Sequence, residues 1–347
     1  MPAESHRQPE EKLVRLPLLL KEALVRPLFL SKEAAVFLTI ALIVASLLWI
    51  VYWLPPSVKE PWKMSVTSHP ITWLTSNYVH EDWGHFISNL LGYIASIVVY
   101  VTLLPMLRIL GYDFRRVNEL GVAIHVSALV VAPLASAAAW LVASFYLPQV
   151  ASFKFCGFST SVSAYVGADI ALWAIVIAKT FNVDITLTYL LLQLLLFLLV
   201  PASRYLSRSI QWLAAASPYI WAIAATLLAI RNPKNVKNAT RIIHAKEPEK
   251  ARITNNKVIR ILFLLYFLLF YLLFYPSAFA FMLDSLYPVT FIYYNEKDKI
   301  LIGVVSHLVG TLVGYASLVI TLLLFNVFNK LKTEGRGRPA VPASDSL

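Results

Sequence analysis

Long uninterrupted apolar runs constrain the fold of this chain more than any other feature of its sequence. Several of them reach about 20 residues, the length that an α-helix needs to cross the hydrocarbon core of a bilayer. Their apolar residues follow one another without the alternation of a membrane β-strand, so the spans are predicted to be helices. Because 59% of the 347 residues are hydrophobic, more than a soluble domain carries, the sequence predicts an all-α polytopic membrane protein.

Charged loops and prolines divide the apolar runs into about eight predicted transmembrane helices. They cover residues 34–54, 83–106, 118–146, 157–178, 185–202, 209–230, 259–283 and 300–328. Together they form one membrane domain over 34–328, with an inserted helical region around 203–283. A basic N-terminal segment, 1–33, precedes this domain, and a basic tail, 329–347, follows it. The tail is rich in small residues and proline, so we expect it to be disordered.

The basic residues predict the orientation of the chain in the membrane. The loop 231–258 is the most basic, and the positive-inside rule places it in the cytoplasm. Counting through the spans then puts both termini and the turn at Arg115 and Arg116 on the same side. Arg204 and Arg208, in the loop after the fifth span, are the exception. We therefore read the net charge of +11 as a sign of a multi-pass cell-membrane protein with cytoplasmic N- and C-termini, and not of nucleic-acid binding.

Three polar side chains stand at the entrance to the second span, namely His80, His85 and Asn89. Such groups cost free energy in hydrocarbon. His85 and Asn89 are four residues apart and share a helix face, whereas His80 is expected at or before the first turn. The set is either an interfacial polar cluster or a group of donors for a developing oxyanion.

A serine and a histidine in two other spans are the candidate reactive groups. Ser159 lies just inside the fourth span, where backbone N–H groups can receive negative charge, and Gly157 allows close approach of another backbone. In the eighth span, His307 shares a helix face with Gly310 and Gly314, which predicts a closely packed neighbouring helix. Taken alone, a membrane serine is a packing residue, and an intramembrane histidine is a proton relay or a hydrogen-bonded packing residue.

The predicted orientation brings these residues to the same side of the membrane. His85 and Asn89 lie at the outer end of the second span, and Ser159 lies at the outer end of the fourth. His307 lies about 10 Å into the eighth span from the outside. A serine, a histidine base and a set of donors are the parts of serine acyl-transfer chemistry.

At these positions the sequence resembles the rhomboid family of intramembrane serine proteases. The family's second helix carries H-x4-H-x3-N, its nucleophile helix G-x-S-G with a glycine eight residues after the serine, and its last catalytic helix H-x2-G-x3-G. The corresponding residues here are His80, His85 and Asn89; Gly157, Ser159 and Gly167; and His307, Gly310 and Gly314. The resemblance covers roughly 34–200 and 300–328 and implies a rhomboid-like helical bundle.

The resemblance also implies a mechanism and a class of substrate. Ser159 would be the nucleophile and His307 the base of a dyad without a third acid. His85 and Asn89, with the backbone N–H of Ser159, would hold the oxyanion, and His80 would support them. The partners implied are the lipid bilayer and membrane proteins whose transmembrane segments are cut near their outer end. No cofactor is implied, and we see no metal-ligand cluster and no phosphate-binding glycine loop.

Three departures from the family leave an alternative open. Thr160 replaces the glycine after the nucleophile, and Ser163 stands where the family often has an aromatic residue. Three predicted spans, instead of one, separate Ser159 from His307. The alternative is a catalytically inactive rhomboid-like protein that binds transmembrane clients.

Other ionisable residues offer alternative chemistry. A transporter using His307 and Asp169 as proton groups is a third hypothesis, against which the lack of repeat symmetry argues. His125 and Lys154 are alternative bases. For Thr160, we expect packing against the second span near Ser88 or Gly92.

Overall fold

The computed structural model of the chain describes residues 32–109, 114–146, 154, 156–180, 184–202, 207–231 and 297–336. The long helices are α1 (Lys32–Trp53), α2 (Trp83–Ile109), α3 (Phe114–Val126), α4 (Ala132–Tyr146), α5 (Ser159–Thr180), α6 (Leu187–Ala202), α7 (Arg208–Arg231) and α8 (Lys297–Arg336). A π-helical turn, Ser127–Val131, joins α3 to α4. Short helical turns occupy Pro56–Lys59, Glu60–Trp62, Thr72–Thr75 and Ser76–Tyr78. Throughout these residues the structure contains no β-strand.

Five stretches of the described residues are long and apolar enough to cross a membrane. They are Ala35–Trp53, Trp83–Val101, Asn118–Tyr146, Ser159–Ala178 and Val305–Leu324. Each falls on a predicted span, and α6 adds a shorter apolar stretch, Leu187–Val200. In this coarse form the prediction of an all-α membrane protein is confirmed. Residues 232–258 of the predicted loop 231–258, the seventh predicted span at 259–283 and the first 31 residues lie outside the described residues.

The last helix is longer than the sequence predicted. α8 continues to Arg336, past residue 328, where the last predicted span ends, and the expected disorder of 329–347 stays a prediction. Lys330, Leu331 and Lys332 all favour a helix, which fits this extension. The rest of the predicted tail, 337–347, lies outside the described residues.

α5 is the central helix of the bundle. Its apolar stretch is buried on every side, which fits a helix that is apolar or small all round, with residues such as Ala164, Ala168 and Ala171. α1 differs, because Leu42 and Ile50 are exposed on its surface. Such side chains suit a lipid-facing position.

Contacts at successive levels show that α2 and α5 run in the same direction. Gly92 of α2 lies against the side chain of Val162, with a Cβ added at the glycine only 3.1 Å from Val162 Cγ1. One turn further along α2, Ser96 hydrogen-bonds the carboxyl group of Asp169. The start of α2 and the start of α5 are therefore at the same end of the bundle.

α8 also runs parallel to α5 and packs against it at backbone distance. A Cβ added at Gly310 would overlap the carbonyl oxygen of Thr160, and one added at Gly314 would overlap that of Ala164. On the other side of the contact, a Cβ at Gly167 would overlap the backbone of α8 at Thr311. Small residues permit this approach of two membrane helices. The start of α5 therefore lies level with the turn of α8 that precedes Gly310.

Candidate active site

His80 connects the start of α2 to the residue that precedes Ser159. It is fully buried, and its Nε2 accepts hydrogen bonds from the Asn89 amide at 2.9 Å and from the Phe158 backbone N–H at 3.3 Å. One ring nitrogen that accepts two N–H donors leaves the ring proton on Nδ1. Burial lowers the pKa of His80 to about 3, and repulsion from His85 adds to this effect. The ring is therefore a neutral acceptor that orients Asn89.

The lowered pKa of His80 predicts a pH-dependent stability. Between about pH 3 and pH 6.5, His80 is protonated in the unfolded chain and neutral in the folded protein. The folded state therefore loses stability as the pH falls from 6.5. The free energy of unfolding is expected to fall by up to about 1.4 kcal/mol per pH unit from this group. Thermal unfolding at a series of pH values should show a flatter slope in His80→Gln than in the native protein. The exposed His69→Gln serves as control, and equal slopes in all three proteins would contradict the prediction.

His85 and Gly157 approach each other closely. His85 lies in the first turn of α2, where its backbone N–H donates to the Asp82 carboxylate at 2.7 Å, which caps the helix. A Cβ added at Gly157 would lie 2.5 Å from Cε1 of the His85 ring. Gly157 also has a φ of +123°, and its N–H donates to the Ser76 carbonyl at 3.0 Å. Both the backbone conformation and the imidazole contact therefore require glycine here.

Ser159 is the first residue of α5 and is half-buried. The N–H groups of a first helical turn have no partner within the helix and carry the positive end of its dipole. One turn further on, the Ser163 hydroxyl donates to the Ser159 carbonyl at 2.8 Å. The hydroxyl of Ser159 thus lies at an end of the helix where negative charge is stabilised.

The packing of α8 on α5 sets the position of His307. His307 precedes Gly310 by one turn and lies within about 60° of it around the helix. Because Gly310 packs against Thr160, the His307 turn is level with the residues just before Thr160. The Thr311 hydroxyl donates to the His307 carbonyl at 2.9 Å. The structure therefore places His307, Ser159 and the His80 cluster at one end of the same three parallel helices.

The other candidate bases are engaged elsewhere. His125 Nδ1 lies 2.6 Å from the Tyr165 hydroxyl, and its ring stacks on Phe37 with the centroids 4.1 Å apart. Lys154 forms an ion pair with Glu60. The Lys154 ammonium is therefore paired with a carboxylate, and the His125 ring is held against Tyr165 and Phe37, although its Nε2 has no hydrogen-bond partner.

The position predicted for Thr160 was wrong. Its hydroxyl lies 3.5 Å from Ser136 of α4, and it is Val162 that faces Gly92 of α2. Thr160 and Val162 are about 200° apart around the helix, so only one of them can face α2. Ser88, the other residue proposed to make room, is exposed.

Two linked, buried hydrogen bonds lie beside the site, and no sequence pattern predicted them. The Asn77 amide donates to the Ser161 hydroxyl at 2.8 Å, and that hydroxyl donates to the Ala128 carbonyl at 2.6 Å. Ala128 lies in the π-helical turn, where backbone carbonyls lose their regular partners. Pro133, which lacks an N–H, is the one sign of this irregularity in the sequence. The two hydrogen bonds connect the loop before α2 to the first turn of α5.

Ion pairs join the loops next to the start of α2 and α5, and the sequence analysis did not predict them. Lys63 Nζ lies 2.6 Å from a Glu60 oxygen and 2.7 Å from a Glu81 oxygen. Glu60 pairs in turn with Lys154. Hydrogen bonds from Lys154 and Lys63 lower the pKa of Glu60 to about 2. These contacts tie the loop before α2 to the segment that leads into α5.

The described residues contain no group of three or more His, Cys, Asp and Glu that could hold a metal ion. Comparisons of the chain with models of protein families, with curated proteins and with solved structures found no match. The fold and the apolar helices define an all-α membrane protein, and the polar residues at one end of its bundle form a candidate site.

Proposed function

We propose that this protein is a rhomboid-like intramembrane serine protease with Ser159 as nucleophile and His307 as base. The observation that carries the proposal is the parallel packing of α8 on α5 through Gly310 and Gly314. This packing puts the turn of His307 level with the N-terminal turn of Ser159. A serine at a helix N-terminus beside a histidine is the minimum needed for covalent acyl transfer.

In the proposed mechanism, His307 takes the proton of the Ser159 hydroxyl as its oxygen attacks the carbonyl carbon of the scissile peptide bond. The negative charge that develops on the substrate oxygen is held by His85, Asn89 and the backbone N–H of Ser159. His80 supports this set, because it accepts a hydrogen bond from Asn89 and another from the backbone beside Ser159. His307 then gives its proton to the leaving amine, and water releases the acyl group.

The proposed substrates are transmembrane segments of other membrane proteins, cut near their outer end. We place the protein in the cell membrane as a bundle of about eight spans, with both termini in the cytoplasm and the site near the outer surface. The proposed chemistry uses side chains and backbone alone and requires no metal or cofactor.

A serine-reactive probe tests the proposal at the residue level. A fluorophosphonate forms a stable adduct only with an activated serine, so mass spectrometry of the labelled protein is expected to find the adduct on Ser159. Ser163→Ala, one turn away on the same helix, should label normally, whereas His307→Ala should label slowly. An adduct on another serine, or none on Ser159, would contradict the assignment.

The alternative is an inactive rhomboid-like protein that binds transmembrane clients. It is favoured by Thr160, a β-branched residue in the tightly packed start of α5, and by Ser163 in place of an aromatic residue. In this case the protein would capture a transmembrane client without labelling or cleavage.

Gly157→Ala is expected to reduce cleavage of a transmembrane substrate by about 100-fold, because displacement of a catalytic group by about 1 Å has an effect of that size. The added Cβ would push the His85 ring away and strain the backbone at its positive φ. Rates measured with purified protein check this. Gly121→Ala is the matched control, since a Cβ there lies 3.6 Å from Phe37, an ordinary contact, and should leave the rate unchanged. Equal rates for Gly157→Ala and the native protein would refute the proposed role of His85.

The proposed orientation predicts that residue 246 faces the cytoplasm. A Lys246→Cys variant, with the native Cys156 replaced by serine, should resist a membrane-impermeant thiol reagent on intact cells and should react after permeabilisation. The basic loop around it is retained inside by the positive-inside rule. Ready labelling of intact cells would reverse the orientation and put the candidate site on the cytoplasmic side.

A further inference from the structure

A second polar site lies deeper in the bundle, between α2, α3 and α5. Its centre is Asp169, a fully buried carboxyl group on the central helix. One carboxyl oxygen hydrogen-bonds the hydroxyl of Ser96, and the other has no hydrogen-bond partner. Asp169 follows Ser159 by ten residues, so it is about 15 Å further along α5. It is not part of the proposed catalytic machinery.

A second unpartnered oxygen faces the same region. Tyr100 follows Ser96 by one turn of α2, is fully buried, and has no hydrogen-bond partner for its hydroxyl. Tyr100 shares a face of α2 with Ser96, which hydrogen-bonds Asp169, and the Tyr100 hydroxyl lies beside Gly121 of α3. Buried polar atoms without partners are rare in folded proteins, and each requires an explanation. One of the two oxygens here belongs to the Asp169 carboxyl group itself and the other to Tyr100, and a bound ion would give both of them a partner.

The charge of an ionised Asp169 indicates that the bound ligand is a cation. None of the ion pairs formed by the described residues involves Asp169. His125 contacts the Tyr165 hydroxyl through Nδ1, and its Nε2 has no hydrogen-bond partner, so this histidine does not pair with the Asp169 carboxyl group. A proton on Asp169 could serve its contact with Ser96, but no hydrogen bond joins the carboxyl group to Tyr100, so protonation leaves the Tyr100 oxygen without a partner. An ionised carboxylate in a membrane interior needs a positive charge beside it.

The chemistry of the surrounding atoms narrows the choice further. The three groups supply only oxygen atoms, from a carboxylate and two hydroxyls, and oxygen is the ligand that hard cations prefer. One carboxylate neutralises one monovalent ion, whereas a divalent ion would leave a net positive charge in the bundle. We propose that Asp169, Ser96 and Tyr100 form an intramembrane binding site for a monovalent cation, for which Na⁺ is the probe. A cation bound there would hold α2 and α5 together, and this proposal does not depend on protease activity.

The test is thermal unfolding of the full chain in detergent, with NaCl or with choline chloride at equal ionic strength. A cation that binds only the folded protein raises the midpoint of unfolding, and we expect a Tm about 3 °C or more higher in NaCl. Asp169→Asn keeps the shape of the side chain and removes its charge, so it should abolish the difference between the salts. Tyr100→Phe removes one ligand and should reduce the difference.

Tyr93→Phe is the matched control on the same helix. It removes a hydroxyl that donates to the Ala41 carbonyl at 3.4 Å, outside the proposed site, and should keep the full difference between NaCl and choline. If Asp169→Asn does not fold, the comparison of Tyr100→Phe with Tyr93→Phe decides the question. Equal Tm values of the native protein in the two salts would overturn the proposal in favour of a neutral, protonated Asp169. A Na⁺ effect that persists in Asp169→Asn would overturn it as well.

Discussion

Gly314→Ala is expected to lower the free energy of unfolding by about 3 kcal/mol, the upper part of the range for an overpacked core. The added Cβ would overlap the carbonyl oxygen and Cα of Ala164, and these backbone atoms cannot rotate away. The overlap can be removed only if at least one turn of α8 moves away from α5. Because Gly310 and His307 lie on the same face of α8, the movement would also displace His307 and abolish cleavage.

Unfolding measured in detergent by heat or by a denaturing surfactant checks this prediction. Gly121→Ala is the control, since its Cβ would lie at ordinary contact distance from Phe37 and Tyr100, 3.6 and 3.7 Å, and alanine favours a helix by about 1 kcal/mol over glycine. Its stability should stay the same or rise. A Gly314→Ala protein as stable as the native one would show that α5 and α8 do not pack at backbone distance.

His307→Ala is expected to reduce cleavage of a transmembrane substrate by at least about 1,000-fold, as the loss of a base that activates a serine does. The side chain is half-buried, so the fold should survive with a small loss of stability. Initial rates at saturating substrate separate the loss of chemistry from a loss of binding, because kcat should fall while KM changes little.

His125→Gln is the matched control, since it replaces another intramembrane histidine. It removes or weakens the contact with the Tyr165 hydroxyl and should lower stability while leaving kcat within a few-fold of the native value. A large fall in kcat for His125→Gln, with activity retained in His307→Ala, would show that His125 and not His307 is the base.

Apolar pattern and small residues predicted much of this architecture. Each of the five stretches that could cross a membrane falls on a predicted span, because the length of an apolar run can be counted directly from the sequence. The contact of Gly310 and Gly314 with α5 was foreseeable for a similar reason. Glycines one turn apart on a membrane helix favour the close approach of another helix.

Contacts that depend on the exact rotation of a helix or on an irregular loop could not be predicted in this way. Thr160 was expected to face α2, but α5 is rotated so that Val162 takes that place. The bond from Asn77 to Ser161 joins residues 84 positions apart, and no periodicity connects a loop to a helix. The same is true of the ion pair between Glu60 and Lys154.

Ser159 and His307 are proposed to cut transmembrane segments. The most direct measurement incubates the purified full chain in liposomes with a model transmembrane substrate and detects products by mass spectrometry. We expect the native protein to cleave within the outer part of the substrate helix and Ser159→Ala to leave the substrate intact. Cleavage that continues unchanged in Ser159→Ala would show that Ser159 is not the nucleophile, and a native protein that binds the substrate without cutting it would show that the protein is not a protease.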